Sequence, residues 1–281
     1  MNRSFYTLIF ALFFLISCQE NLPMINCLSC PNDNSGDEIR PEDRRVLIEE
    51  FTGVRCVQCP GGSLEIQRLQ EQYGERLIAV SMHAGNLSAP YNQSQYDFRT
   101  DEGTSLLNFL GIPEGVPTAV INRKLFPGQS DLQLESSGVW SGRVVTELED
   151  DAIVVLDINN NWNPDNRLLK VSVTGGAAER IAEEVKITVL ITESNIVDTQ
   201  VVPGDGIIDD YVHNHVLRKT LTAFDGDKLV TSLNSGETFA EEFSYFLPEE
   251  WKAENCNVIA FVHLAGSDKL VLQAIEKHLV E

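Results

Sequence analysis

Three rhythms of apolar and polar positions follow one another along the chain. The first is an unbroken apolar run over residues 8–16 (LIFALFFLI), shortly after Arg3. A membrane-spanning helix takes about 20 apolar residues, so this run has the length of a signal-peptide core instead. The second rhythm alternates short buried strands with helical periodicity. Strands are predicted at 46–52 (VLIEEFT), 76–83 (RLIAVSMH) and 118–123 (TAVINR). Helices are predicted at 63–73, at 94–110 with an interruption near Gly103, and at 134–148. The helix at 63–73 rests on an apolar side formed by Leu64, Ile66, Leu69 and Tyr73, with Gly74 as its stop. The third rhythm begins after residue 151 and is mostly of period two. Strands are predicted at 153–158, 168–174, 185–192, 211–221, 237–246, 257–264 and 270–276, with turns such as NNNWNPDN and SLNSGE between them.

This pattern predicts an α/β domain over 44–150 and an all-β, sandwich-like domain over 151–281. The two are expected to be separable units that meet near residues 148–153. Residues 15–18 (LISC) close the apolar run with a small residue and a cysteine, which resembles the lipobox of bacterial lipoproteins. That resemblance implies a signal peptide over 1–17 and a lipidated Cys18 as the membrane anchor. Residues 18–43 are rich in Asn, Asp, Glu, Pro and Ser, a composition that cannot bury enough apolar surface to order itself, and are expected to form a tether.

Charge narrows the partners. The chain carries 21 Lys and Arg against 42 Asp and Glu, a net charge of −21. Such a surface repels nucleic acid, so no nucleic-acid partner is expected. The expected contacts are a membrane through the lipid and either exported protein substrates or a surface partner; no cofactor and no metal is expected. Six cysteines fall into Cys18, two C-x-x-C pairs (Cys27/Cys30 and Cys56/Cys59) and a lone Cys256. Outside the cytoplasm close pairs tend to oxidise, so Cys27 and Cys30 are read as a local disulfide and Cys256 as a buried, inert thiol. Two alternatives for the pairs are a shared four-cysteine zinc site, with a longer gap than zinc ribbons use, and thiol–disulfide relay from one pair to the other.

Cys56-Val57-Gln58-Cys59 lies between a buried strand and a helix. The first cysteine then sits near a helix N-terminus, where unpaired N–H groups and the helix dipole favour its thiolate, and Arg55 beside it is expected to add to that. The arrangement resembles the thioredoxin superfamily. Two further elements carry the resemblance: Glu50 on the strand six residues earlier, and Gly115-Val116-Pro117-Thr118 ahead of the next strand. The resemblance implies a thioredoxin-like domain over 44–150. It also implies that Cys56 attacks, Cys59 resolves, Glu50 shuttles a proton and a cis Pro117 meets the substrate backbone. Arg55 stands where thioredoxins often carry an aromatic residue, and Val57-Gln58 replaces Gly-Pro.

His213 and His215 are two apart on the predicted strand 211–221 and should share a face, with Asp205, Asp209 and Asp210 just before them. The plain interpretation is a strand edge after an acidic turn; a metal site is the alternative. LIEEFTGVRCVQCP, YVHNHVLR and the ending VIAFVH…VLQAIE resemble the outer-membrane-protein family named for a twenty-eight-kilodalton member. That resemblance implies an outer-membrane lipoprotein with a thioredoxin-like half and a β-rich half. Two functions compete: a thiol–disulfide oxidoreductase acting on exported proteins, and a binding protein that uses its β-sandwich and carries a structural disulfide.

Overall fold

The computed structural model describes residues 44–280. Cys18, Cys27 and Cys30, with the expected signal and tether, lie outside the described residues. The fold is β-rich. It opens with β1 (Val46–Thr52), α1 (Cys59–Tyr73), β2 (Leu77–His83), α2 (Asp101–Leu110), β3 (Thr118–Ile121) and α3 (Trp140–Leu148). Ten strands follow: β4 (Val154–Asn163), β5 (Leu168–Ala177), β6 (Val185–Glu193), β7 (Ile196–Val202), β8 (Gly206–His213), β9 (Val216–Thr220), β10 (Asp227–Val230), β11 (Thr238–Phe246), β12 (Cys256–Leu264) and β13 (Val271–His278).

One large sheet organises the molecule, in the order β13-β12-β6-β9-β2-β1-β3, with β10 paired to β6. β1 runs parallel to β2 and antiparallel to β3. The seam between the early and late strands is narrow: β2 meets β9 through the single pair Ser81 and Val216. The Ser81 N–H also donates to the His215 carbonyl at 2.8 Å. A second, three-stranded sheet (β11-β5-β4) packs Val154, Leu156, Ile158, Val171 and Val173 against Ile187, Val189, Val258 and Val262 of the large sheet. The late part is therefore β-rich, with two sheets packed on each other, and one of those sheets continues into the early strands. Residues 149–153 join α3 to β4 without helix or strand, and across that junction Leu47, Phe51, Ile78 and Met82 share a core with Leu190, Leu217, Ile259 and Phe261.

Several expected boundaries move for local reasons. α2 starts at Asp101, where the Thr100 hydroxyl caps it by accepting from the Gly103 N–H at 2.9 Å, so Gly103 lies in the first turn of an unbroken helix. Residues 94–100 form a loop instead of helix. α3 starts only at Trp140, because Leu134 is taken by a backbone bridge to Ala119. β3 stops at Ile121 because Asn122 and Arg123 adopt positive φ. The expected strand 211–221 is two strands, β8 and β9, broken at Asn214 and His215, the latter with φ 56°. β7 and β10 have no counterpart among the expected strands; β7 and β8 form a two-stranded hairpin of their own.

Candidate functional site

β1 delivers two acids to opposite faces of the large sheet, because successive strand residues alternate. Glu49 joins the α2 side and forms a fully buried, two-bonded ion pair with Arg123, Nε and Nη2 each 2.8 Å from a carboxylate oxygen. Glu50 joins the α1 side and is completely buried. Its Oε2 accepts from the Ser81 hydroxyl at 2.9 Å, while Oε1 has no hydrogen-bond partner. Burial pushes the Glu50 carboxyl up to about 8, with the Ser81 bond acting in the opposite direction. At neutral pH it is therefore mostly a neutral acid.

The dithiol lies above this acid. Cys56 and Cys59 are joined by a disulfide, with Cα atoms 5.3 Å apart. α1 begins at Cys59, with Pro60 in its first turn and no side-chain cap from Gln58. The N–H groups of the first turn are used within it: Cys59 donates to Cys56 O at 3.3 Å and Gly61 to Gln58 O at 3.0 Å, and Pro60 has none to give. Ile66 and Leu69 anchor the buried side of α1, and Gly74 at φ 56° ends it. Gly62 has no room for a side chain: a Cβ there would stand 2.7 Å from Glu50 Oε1 and 2.9 Å from Pro117 Cβ. This residue is where the acid, the helix and the Pro117 loop converge. The Val116–Pro117 bond is cis, and the Val116 carbonyl oxygen lies 3.3 Å from Cys56 Sγ.

The structure brings together Glu50, Cys56, Cys59 and Pro117. Both half-cystines are covered, Cys56 being 2% and Cys59 1% exposed, while Val57 between them is 43% exposed. The structure departs from the sequence expectation in two ways, at Arg55 and at the two histidines. Arg55 does not turn to the dithiol: its Nε donates to Ala89 O at 2.6 Å, and its guanidinium stacks 4.4 Å over the Tyr91 ring. His213 and His215 do not share a strand face. His213 packs between Tyr211 and Phe98, with ring centroids 4.8 and 4.7 Å away, and lies 5.6 Å from His83; His215 sits in the turn. Burial lowers His83 well below the ordinary histidine range and takes His213 and His215 down to about 4. Asp209 accepts from the Thr199 hydroxyl. Among the described residues no group of His, Cys, Asp or Glu is set to hold a metal. Cys256 is free and buried, and burial raises its thiol to about 12.

The residues that sequence reasoning missed come from the β7–β8 hairpin. Gln200 Nε2 donates to Cys56 O at 3.1 Å, and the Val201 N–H to Val54 O at 2.9 Å. Asp198 accepts from the Gln95 and Tyr96 N–H groups, each at 2.9 Å, and so ties the hairpin to the 94–96 loop. A small cavity of about 10 Å³ is lined by Cys59, Ser63, Ser81, His83, Gln200, Tyr211 and His213. Next to it an open cleft of about 410 Å³ runs between α1 and the end of β8. The signal for the hairpin is present in the sequence: VVPGDGII sets a Pro-Gly-Asp-Gly turn between two β-branched runs. Among the described residues no helix is long and apolar enough to cross a membrane.

Comparison with known proteins gives a family and a fold. No curated protein matches the chain. Among solved structures, HBP35 of Porphyromonas gingivalis is similar at 20% identity and a TM-score of 0.65, over 84% of this chain and 76% of that one. A protein from Agrobacterium tumefaciens is similar at 15% identity and a TM-score of 0.53, over 85% of this chain and 96% of that one. A domain of the outer membrane lipoprotein Omp28 from Porphyromonas gingivalis matches at 18% identity over 44% of this chain and 86% of that one, with a TM-score of 0.31. The profile of the family described as outer membrane protein Omp28 matches residues 112–280. The chain therefore belongs to the Omp28 family of outer membrane proteins, which puts it in the cell envelope.

Proposed function

We propose that this protein is an envelope thiol–disulfide oxidoreductase acting on exported proteins, with a thioredoxin-like half over residues 44–150. Cys56 is the attacking thiolate, Cys59 resolves the mixed disulfide, Glu50 moves the proton and the Pro117 loop presents the substrate chain. The observation that carries this reading is the convergence at Gly62. A buried, mostly neutral acid and the Pro117 loop meet beside a disulfide at the start of a helix. A purely structural disulfide has no use for an uncompensated acid beneath it, because burying a carboxyl with one oxygen unpartnered is costly. Cys18 is the lipid-carrying residue that holds the protein at the membrane, and Cys27 and Cys30 form a separate disulfide.

The test is mixed-disulfide trapping in the envelope. Cys59→Ser should accumulate mixed disulfides with exported proteins, and Cys56→Ser should accumulate few. Equal absence from both variants refutes the reading. Replacing Cys18 by Ser should release the protein from membranes and abolish fatty-acid labelling.

One observation favours a second reading, a binding protein with a structural disulfide: both sulfurs are covered by the β7–β8 hairpin and the Pro117 loop. The reduction potential separates the two, since structural disulfides in exported proteins lie below about −300 mV.

A further inference from the structure

We propose that Ser81 and Tyr211 form the route by which Glu50 exchanges its proton with solvent, so that the late, β-rich half of the chain supplies part of the dithiol site. The proposal rests on the redox reading above and deepens it.

Opening the disulfide creates the demand. An incoming thiolate bonds to Cys56 as the Cys56–Cys59 bond breaks, and Cys59 leaves with the electron pair. The departing Cys59 thiolate takes a proton from neutral Glu50. Glu50 is then a buried anion and must regain a proton from water before the next cycle; the reverse reaction needs the same proton to leave.

Glu50 has no direct access to solvent, being completely buried. Its one hydrogen-bond donor is Ser81 on β2. Ser81 lines both the small cavity that Cys59 also lines and the open cleft between α1 and β8. Tyr211 on β8 and Asn214 just after it are the polar residues of the late half that line both spaces, and the Tyr211 hydroxyl is the ionisable one, set against the Ser63 side chain of α1. The small cavity, at about 10 Å³, has the room that one water molecule needs. A chain of hydroxyls and water thus leads from the acid to the cleft. The titratable groups on the walls of the cavity and the cleft are Cys59 on α1, His83 on β2, Tyr211 and His213 on β8, and His215 in the turn that follows. Burial holds all three histidines neutral near pH 7, so none of them offers Glu50 a cationic partner. Ser81 itself is fixed by the late half, through its N–H to His215 O and its pairing with Val216.

Ser81 is on this account a positioning residue, and the test reads titration and rate together in the full chain. The Glu50 carboxyl is titrated by carbon-13 NMR in the oxidised protein, and reduction of the disulfide by dithiothreitol is timed across pH. Ser81→Ala should move the Glu50 midpoint upward by roughly half a pH unit or more, because a donor to the anion is lost. It should also slow reduction by roughly tenfold, as a loss of about 1.4 kcal/mol would. Tyr211→Phe should leave the midpoint in place and slow reduction several-fold, and Ser81→Thr should restore both readouts. A wild type that dithiothreitol reduces, with both variants reduced at the wild-type rate across pH, overturns the route alone. A wild type that dithiothreitol cannot reduce overturns the redox reading and the route with it.

Discussion

The Val201 N–H donates to the Val54 carbonyl at 2.9 Å, which fastens the β7–β8 hairpin to the loop that carries the dithiol. Gln200 beside it adds donors to the carbonyls of Cys56 and Gly53. The hairpin thus helps to cover the dithiol, whose sulfurs belong to residues 2% and 1% exposed. Replacing Gln200 by Ala removes these donors and leaves each carbonyl with a single backbone donor, Cys56 N–H for Gly53 and Cys59 N–H for Cys56, a loss of about 0.5–1.5 kcal/mol per hydrogen bond. That cost falls on the closed arrangement of the loop. The reduced Gln200→Ala protein should be alkylated at Cys56 roughly tenfold faster than the reduced wild type, as a local opening cheaper by about 1.4 kcal/mol allows. Iodoacetamide labelling followed by mass spectrometry reads the rate. An unchanged rate would mean that the hairpin does not control access.

Acid should loosen the same region. His213 and His215 have an ordinary value of 6.5 when unfolded and about 4 when folded. A depressed histidine folds best when neutral. The unfolded chain binds more protons between those values, so stability is intact above pH 6.5 and falls as pH drops toward 4. Each pH unit that separates the folded from the unfolded value is worth about 1.4 kcal/mol, so His213 alone should account for a loss on the order of 3 kcal/mol. Urea midpoints measured from pH 7 to pH 4 should fall steadily, and His213→Phe, which keeps the ring contacts with Phe98 and Tyr211, should flatten that slope. A variant with the wild-type slope would assign the acid sensitivity elsewhere.

The Glu49–Arg123 pair should be costly to break from one side. Both side chains are almost completely buried, and Arg123 also lies over the Phe261 ring at 4.8 Å. Removing one partner leaves the other as an uncompensated buried charge, which costs about 3–5 kcal/mol. Arg123→Met should therefore lower stability by that order in denaturant unfolding, and Glu49→Gln by a similar amount. The double variant should recover part of the loss, since neither charge then remains. Additive losses in the double variant would show that the two residues act separately.

The early strands, α1 and the Glu50–dithiol–Pro117 grouping were legible because each rests on local signals. VLIEEFT is apolar and β-favouring, and Pro60 and Gly74 punctuate a helix. The site's cover was not legible, because Gln200 and Tyr211 lie about 150 residues from Cys56 in the chain and come beside it through long-range contacts, the β2–β9 pair and the hairpin's bonds to Val54 and to the 94–96 loop. Period-two alternation shows that strands 185–192 and 257–264 are buried, but it does not say which sheet they join. Arg55 misled for a related reason. Charge next to a cysteine in sequence favours its anion only if the side chain turns that way, and two carbonyls of the 89–90 stretch take this guanidinium instead.

The shared sheet bears on whether the halves can exist apart. Cutting in the short connection between Leu148 and Val154 does more than sever a linker. It exposes Leu190, Leu217, Ile259 and Phe261 on one side and Leu47, Phe51, Ile78 and Met82 on the other, all members of one core. Each large apolar side chain returned to water costs about 1.5–3 kcal/mol, and marginal stability leaves no margin for several such losses. The cut also frees the N–H and carbonyl groups that join Ser81 to His215 and Asn122 to Val271, giving each fragment a raw sheet edge. Residues 44–150 and 151–281 expressed separately should each be aggregation-prone and lack a cooperative melting transition, while co-expression should yield a soluble complex with one transition. A fragment 151–281 that melts cooperatively alone would show that the sandwich layer carries its own stability and that the β2–β9 seam is a docking contact.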